Sequence, residues 1–98
     1  MTKKPDAPRS APPKRGAVFQ EQFREDLRYW VENDRKTALR ILMLVDQTLR
    51  DPFSGAGKPE PLKHMLAGAW SRRITDEHRL VYLISNARVD FLQARYHY

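Results

Sequence analysis

Cysteine is absent from the sequence, which excludes a disulfide scaffold and any zinc site built on cysteine. No apolar stretch approaches the ~20 residues that a membrane span requires. The N-terminus lacks the apolar core of a secretion signal, so the expected compartment is the cytoplasm, with no membrane partner. Histidine is sparse, and His64, His78 and His97 show none of the paired spacings that bind zinc. Metal catalysis is therefore weakly supported, and isolated histidines of this kind usually serve packing or sit on the surface. There is no G-x-S-x-G elbow. G-A-G-K at 55–58 is too short for a phosphate-binding loop and lacks its Ser or Thr, so it reads as a turn, and no cofactor is implied.

What remains is a basic chain of 98 residues, enough for one small domain. Its net charge of +6 is unevenly placed. Residues 1–16 carry five basic side chains against one acidic, residues 17–57 six against seven, and residues 58–98 seven against four. The folded part is thus basic in its C-terminal half, which suits a polyanionic partner such as nucleic acid. A solvated basic face without a ligand fits the charge equally well.

Residues 1–16 hold four of the seven prolines and no aromatic residue. A segment of that composition buries too little apolar surface to offset its ordering entropy, so a disordered basic arm is expected. It would add non-specific affinity for RNA; a dispensable extension, or a start codon assigned too early, accounts for it as well. A-V-F at 17–19 reads as a first strand. From Gln20 the period changes: Phe23, Leu27, Trp30 and Val31 form one helical stripe, and Ala38, Ile41, Leu42, Val45 and Leu49 a second. Asn33 and Asp34 separate them and offer caps. A DNA-reading pair of helices is the alternative, but the second helix is too apolar to read a groove. Residues 52–66 read as a loop punctuated by Gly55, Gly57, Pro59 and Pro61. Strands are expected over 69–75, 78–85 and 89–98, turning at Asp76-Glu77 and around Asn86. The predicted fold is α+β, in the order β-α-α-β-β-β, with a helical hairpin packed on one face of a small, mainly antiparallel sheet. The opposite face is then free for function, with Arg72, Arg73, Arg79, Arg95 and His97 as its candidates.

Cleaving RNA without metal needs a base for the 2′-OH proton, cations for the phosphorane and an acid for the departing 5′ oxygen. Glu60, then Arg79 with Lys63 or Arg73, then His97 fill those roles by residue type alone. Longer motifs sharpen the match. K-P-E-P-L-K-H at 58–64, L-A-G-A-W-S-R-R-I-T-D-E-H-R-L-V-Y at 66–82 and R-Y-H-Y at 95–98 together resemble the YoeB (Txe) family of type II toxin-antitoxin toxins, within the RelE/ParE superfamily. The resemblance runs from about Ala17 to Tyr98 and is strongest in the C-terminal half. It implies a RelE-like domain over 17–98 acting as a ribosome-dependent mRNA endoribonuclease. It further implies Glu60 as base, Arg79 as the cation and His97 as acid, with Lys63, Arg73 and Tyr98 supporting substrate and transition state. The partners it implies are ribosome and mRNA, an acidic YefM/Axe-like antitoxin, and a second copy in a homodimer. A non-catalytic module that binds ribosome or gyrase, or a co-repressor acting with its antitoxin, is the competing reading.

Strand parity adds a condition. Pairing Ser85 with Val89 puts Arg79 opposite Arg95 and diagonal to His97, whereas pairing Ile84 with Val89 sends Arg79 and His97 to opposite faces. The Ser85–Val89 register is the one expected.

Overall fold

The computed structural model describes residues 15–63 and 67–96. The expected arm, apart from Arg15 and Gly16, and the expected site residues His97 and Tyr98 lie outside the described residues. The elements run β1 (Gly16–Phe19), α1 (Glu21–Asn33), α2 (Arg35–Arg50), β2 (Glu60–Pro61), β3 (Ala69–Arg73), β4 (Arg79–Ile84) and β5 (Arg88–Gln93). They form a five-stranded sheet in the order β1-β5-β4-β3-β2, with β1 parallel to β5 and the other pairs antiparallel. The helical hairpin carries the chain from one sheet edge to the other, and this α+β arrangement is the predicted one. β1 starts at Gly16, and Arg15 Nε donates to the Ser85 carbonyl at 2.8 Å, so ordered contacts begin slightly ahead of Ala17.

The two helices separate at Asp34. Its extended backbone (φ −161°) stops α1, and its carboxylate accepts from the Thr37 amide at 3.2 Å and the Thr37 hydroxyl at 2.8 Å to cap α2. These two hydrogen bonds, the side-chain one first, hold the Asp34 carboxyl below its ordinary range. Both helices lay an apolar stripe on the sheet: Phe23 and Trp30 from α1, Ala38, Ile41, Leu44 and Val45 from α2, against Leu80, Tyr82, Val89 and Phe91. Full burial of such side chains stabilises the fold by about 1.5–3 kcal/mol each. Of the residues expected in these stripes, Leu27 and Leu49 are only partly buried and two are exposed. Val31 (45 % exposed) and Leu42 (44 % exposed) instead line an open groove of about 470 Å³ with Phe19 and Leu27. The buried stripe is rotated by about one residue in each helix, so that Asp26 and Leu44 point inward.

The segment expected to be a loop over 52–66 contains a further strand. Arg72, on β3, is fully buried on the helix side and organises what precedes that strand. Its guanidinium donates to the carbonyls of Asp51 (2.6 Å), Ser54 (2.9 Å) and Ala56 (2.9 Å) and to the Tyr82 hydroxyl (3.2 Å). The Tyr82 hydroxyl in turn donates to the Pro52 carbonyl at 2.8 Å. These acceptors cluster just past the C-terminus of α2, where the helix dipole also favours a cation. Gly57 (φ +83°) then brings its carbonyl to the Arg73 amide at 2.6 Å, and a Cβ there would meet Arg73 O and Arg72 Cβ at 3.0 Å. Only glycine combines that dihedral with that approach, and β2 follows.

Candidate active site

Cross-strand partners share a sheet face. Glu60 pairs Ser71, Ser71 pairs Val81, and Arg73 pairs Arg79. Glu60, Arg73 and Arg79 therefore lie together on the face away from the helices, Arg73 and Arg79 directly opposite each other and Glu60 diagonal to Arg73. Diagonal neighbours are about 7–8 Å apart at Cα, within reach of long side chains. Glu60 is exposed and both arginines are half-buried, so a ligand can reach all three. Lys63, also exposed, follows β2, whose ladder is extended by the Leu62 amide donating to the Ala69 carbonyl at 2.8 Å. The Arg73 Nε is buried and has no hydrogen-bond partner among the described residues. On such a face a carboxylate can take up a proton while the two guanidinium groups meet a phosphate.

Two of the arginines expected on this face are elsewhere. Arg72 pairs Leu80 on the helix side, where it holds the 51–56 loop. Arg95 stacks its guanidinium over the Tyr29 ring of α1, 3.4 Å from the centroid. The expectation for Arg72 failed because adjacent strand residues must face opposite ways, so Arg72 and Arg73 cannot both serve one face.

The register at the β4–β5 turn also differs from the one expected. Ile84, not Ser85, pairs with Val89, because a tight turn is closed by the Ser85 amide and hydroxyl on the Arg88 carbonyl at 2.9 and 3.1 Å. A bulge then shifts the ladder: Tyr82 pairs Phe91, whereas Val81 pairs Gln93. The Val81–Gln93 pair belongs to the register that Ser85–Val89 pairing would have produced. The turn and the bulge thus cancel at Gln93, where the ladder ends. How His97 stands relative to Arg79 lies outside the described residues.

The expected strand over 89–98 ends at Gln93. Beyond it, side chains replace the ladder. Asp26 Oδ2 accepts from the Ala94 amide at 2.9 Å, and Trp30 Nε1 donates to the Ala94 carbonyl at 2.8 Å. The Tyr96 amide donates to His78 Nδ1 at 2.6 Å, and the Arg79 amide donates to the Tyr96 carbonyl at 3.0 Å. Sequence reasoning passed over Asp26, and it weighed His78 only as a metal ligand or as an ordinary packing or surface residue. The signal for Asp26 was present: an acid three residues after Phe23 and four before Trp30 lies on the buried stripe.

Against known proteins, the profile described as the YoeB-like toxin of bacterial type II toxin-antitoxin systems matches residues 19–98. The chain belongs to this family. Toxin RelK of Mycobacterium tuberculosis is 55 % identical over 84 residues, 86 % of this chain and 99 % of its own. The YoeB dimer from Staphylococcus aureus superposes with a TM-score of 0.80 at 38 % identity, covering 88 % of this chain and 100 % of that one. The YoeB-YefM complex from the same organism gives a TM-score of 0.75 at 37 % identity over the same shares. Among the described residues no group of three or more acidic or imidazole side chains is arranged to hold a metal ion, and no helix is long and apolar enough to cross a membrane.

Proposed function

We propose that this YoeB-family toxin is a ribosome-dependent mRNA endoribonuclease that cuts message by metal-independent attack of the 2′-OH. The observation that carries the proposal is the placement of Glu60, Arg73 and Arg79 on one accessible sheet face, on three successive strands. In the proposed reaction Glu60 accepts the 2′-OH proton and O2′ bonds to phosphorus. Arg79, Arg73 and Lys63 meet the negative charge of the phosphorane. The P–O5′ bond then breaks, and the departing oxygen takes a proton from His97, while Tyr98 supports the substrate. The products are a 2′,3′-cyclic phosphate and a 5′-OH. DNA lacks the nucleophile, so the activity is confined to RNA. The basic arm at the N-terminus adds non-specific affinity for RNA.

The proposed partners are an acidic YefM/Axe-like antitoxin, ribosome and mRNA, and a second copy in a homodimer. The S. aureus YoeB-YefM complex and the S. aureus YoeB dimer support the protein partners. Antitoxin and ribosomal RNA are both anionic, and competition for one basic surface would make their binding mutually exclusive. The test is a translation extract programmed with one message, treated with wild type or His97→Gln, in which mRNA ends are mapped. Wild type should produce new ends within the translated region and His97→Gln should not, although it still binds ribosomes. Growth inhibition that survives His97→Gln with no new ends would favour a non-catalytic binding module instead.

A further inference from the structure

His78 follows a turn and precedes Arg79, and the residue is buried, 9 % exposed. Its ring is wedged between Trp30, whose centroid is 4.8 Å away and nearly perpendicular, and Tyr96 at 5.1 Å. Nδ1 accepts the Tyr96 amide at 2.6 Å, and the next amide, that of Arg79, donates to the Tyr96 carbonyl at 3.0 Å. Residues 78 and 79 thus hold both backbone polar groups of one residue, Tyr96. Tyr96 has φ +61°, a left-handed conformation that a bulky residue seldom adopts unless its surroundings hold it. The grip replaces the strand pairing that ends at Gln93, and it is braced by Trp30, which also binds the Ala94 carbonyl.

Both partners in this hydrogen bond immediately precede residues assigned above to the reaction: His78 precedes Arg79, and Tyr96 precedes His97. We infer that His78 is a positioning residue for the reaction, its Nδ1 lone pair fixing the C-terminal backbone in register with Arg79. The inference rests on the proposed endoribonuclease reading. It assigns no contact between His78 and RNA. The requirement is an acceptor at the Nδ1 position, which asparagine reproduces with its amide oxygen and glutamine, one methylene longer, places at the Nε2 position instead.

The experiment compares His78→Asn and His78→Gln with wild type on ribosomes programmed with a defined mRNA. Cleavage rate, ribosome affinity, melting temperature and hydrogen exchange of the Tyr96 amide are measured together. His78→Asn should cleave within about tenfold of wild type, whereas His78→Gln should lose on the order of 100-fold in rate, as a misplacement of about 1 Å does. Ribosome affinity and melting temperature should match between the two variants, and the Tyr96 amide should exchange faster only in His78→Gln. Equal cleavage by the two variants, or a loss that follows melting temperature, would overturn the inference while leaving the proposed reaction intact. If wild type itself makes no cut, the reaction falls, and equal Tyr96 exchange in the two variants would remove the grip as well.

Discussion

Replacing Arg72 with methionine removes every donor from a buried site while keeping most of the side-chain volume. The carbonyls of Asp51, Ser54 and Ala56 and the Tyr82 hydroxyl then lose their shared partner. Each buried acceptor left without its donor costs about 1–3 kcal/mol, so losing the guanidinium from these neutral acceptors costs on the order of 3–5 kcal/mol in all. Some relief comes from water, because Asp51 and Ser54 are exposed, which favours the lower end of that range. For a folded part of this size each kcal/mol lowers the melting temperature by roughly 4–8 °C, so a loss of ~3 kcal/mol corresponds to about 12–24 °C. Urea denaturation of Arg72→Met and wild type measures the difference directly, and an unchanged slope would show that the unfolded state is not responsible. Arg72→Lys, which keeps the charge but cannot span four acceptors, should fall between the two. A loss below about 1 kcal/mol for Arg72→Met would refute the claim that this guanidinium holds the 51–57 loop, and with it the account of how Glu60 reaches the sheet.

Gly57→Ala should destabilise by about 1–2 kcal/mol from its left-handed dihedral alone, and by more from the crowding against Arg73; a circular-dichroism melt within 2 °C of wild type, by the roughly 4–8 °C per kcal/mol scale, would contradict it. Stability should fall on acidification. The Asp34 carboxyl is held low by hydrogen bonds from Thr37, and that of Asp51 by the Ser54 hydroxyl, the Phe53 amide and the Arg72 charge. A carboxyl depressed in the folded state stabilises above its ordinary pKa, and that contribution is lost as pH falls through the folded value. Asp34→Asn should therefore flatten the acid limb of a stability–pH curve, and an unchanged limb would count against the cap. At the alkaline end burial pushes the Tyr82 phenol up, against the opposing Arg72 charge. Its contribution is complete below the ordinary tyrosine range and lost as pH rises through the raised value, so Tyr82→Phe should reduce the fall in stability above about pH 10.

The hairpin of helices and the meander were legible because period and punctuation are local properties: Phe23 to Trp30 repeats as a helix does, and Asp34 marks its own cap. The short strand at Glu60–Pro61 was not, since two residues carry no period and the strand exists only because Arg72, Gly57 and Arg73 deliver it to the sheet edge. Arg72 itself looks like a surface charge in sequence, and nothing near it in the chain names the three carbonyls that enclose it. Register was the subtler failure. Turn chemistry at Ser85–Arg88 set one pairing, the bulge before Gln93 set another, and neither has a signature in the residue types. At the candidate site, motif resemblance picked out Glu60, Arg73 and Arg79, and the sheet brings these together. It gave no hint of Asp26 or His78, whose partners are backbone groups far along the chain.

The most direct test of the central claim uses a message with a single 2′-deoxynucleotide on the 5′ side of the cut, once that position has been mapped on all-RNA message. On ribosomes stalled over the site, wild-type protein should cleave the all-RNA message and leave the deoxy-substituted one intact. Cleavage of both at the same position would contradict attack by the 2′-OH and the roles given to Glu60, Arg79 and His97.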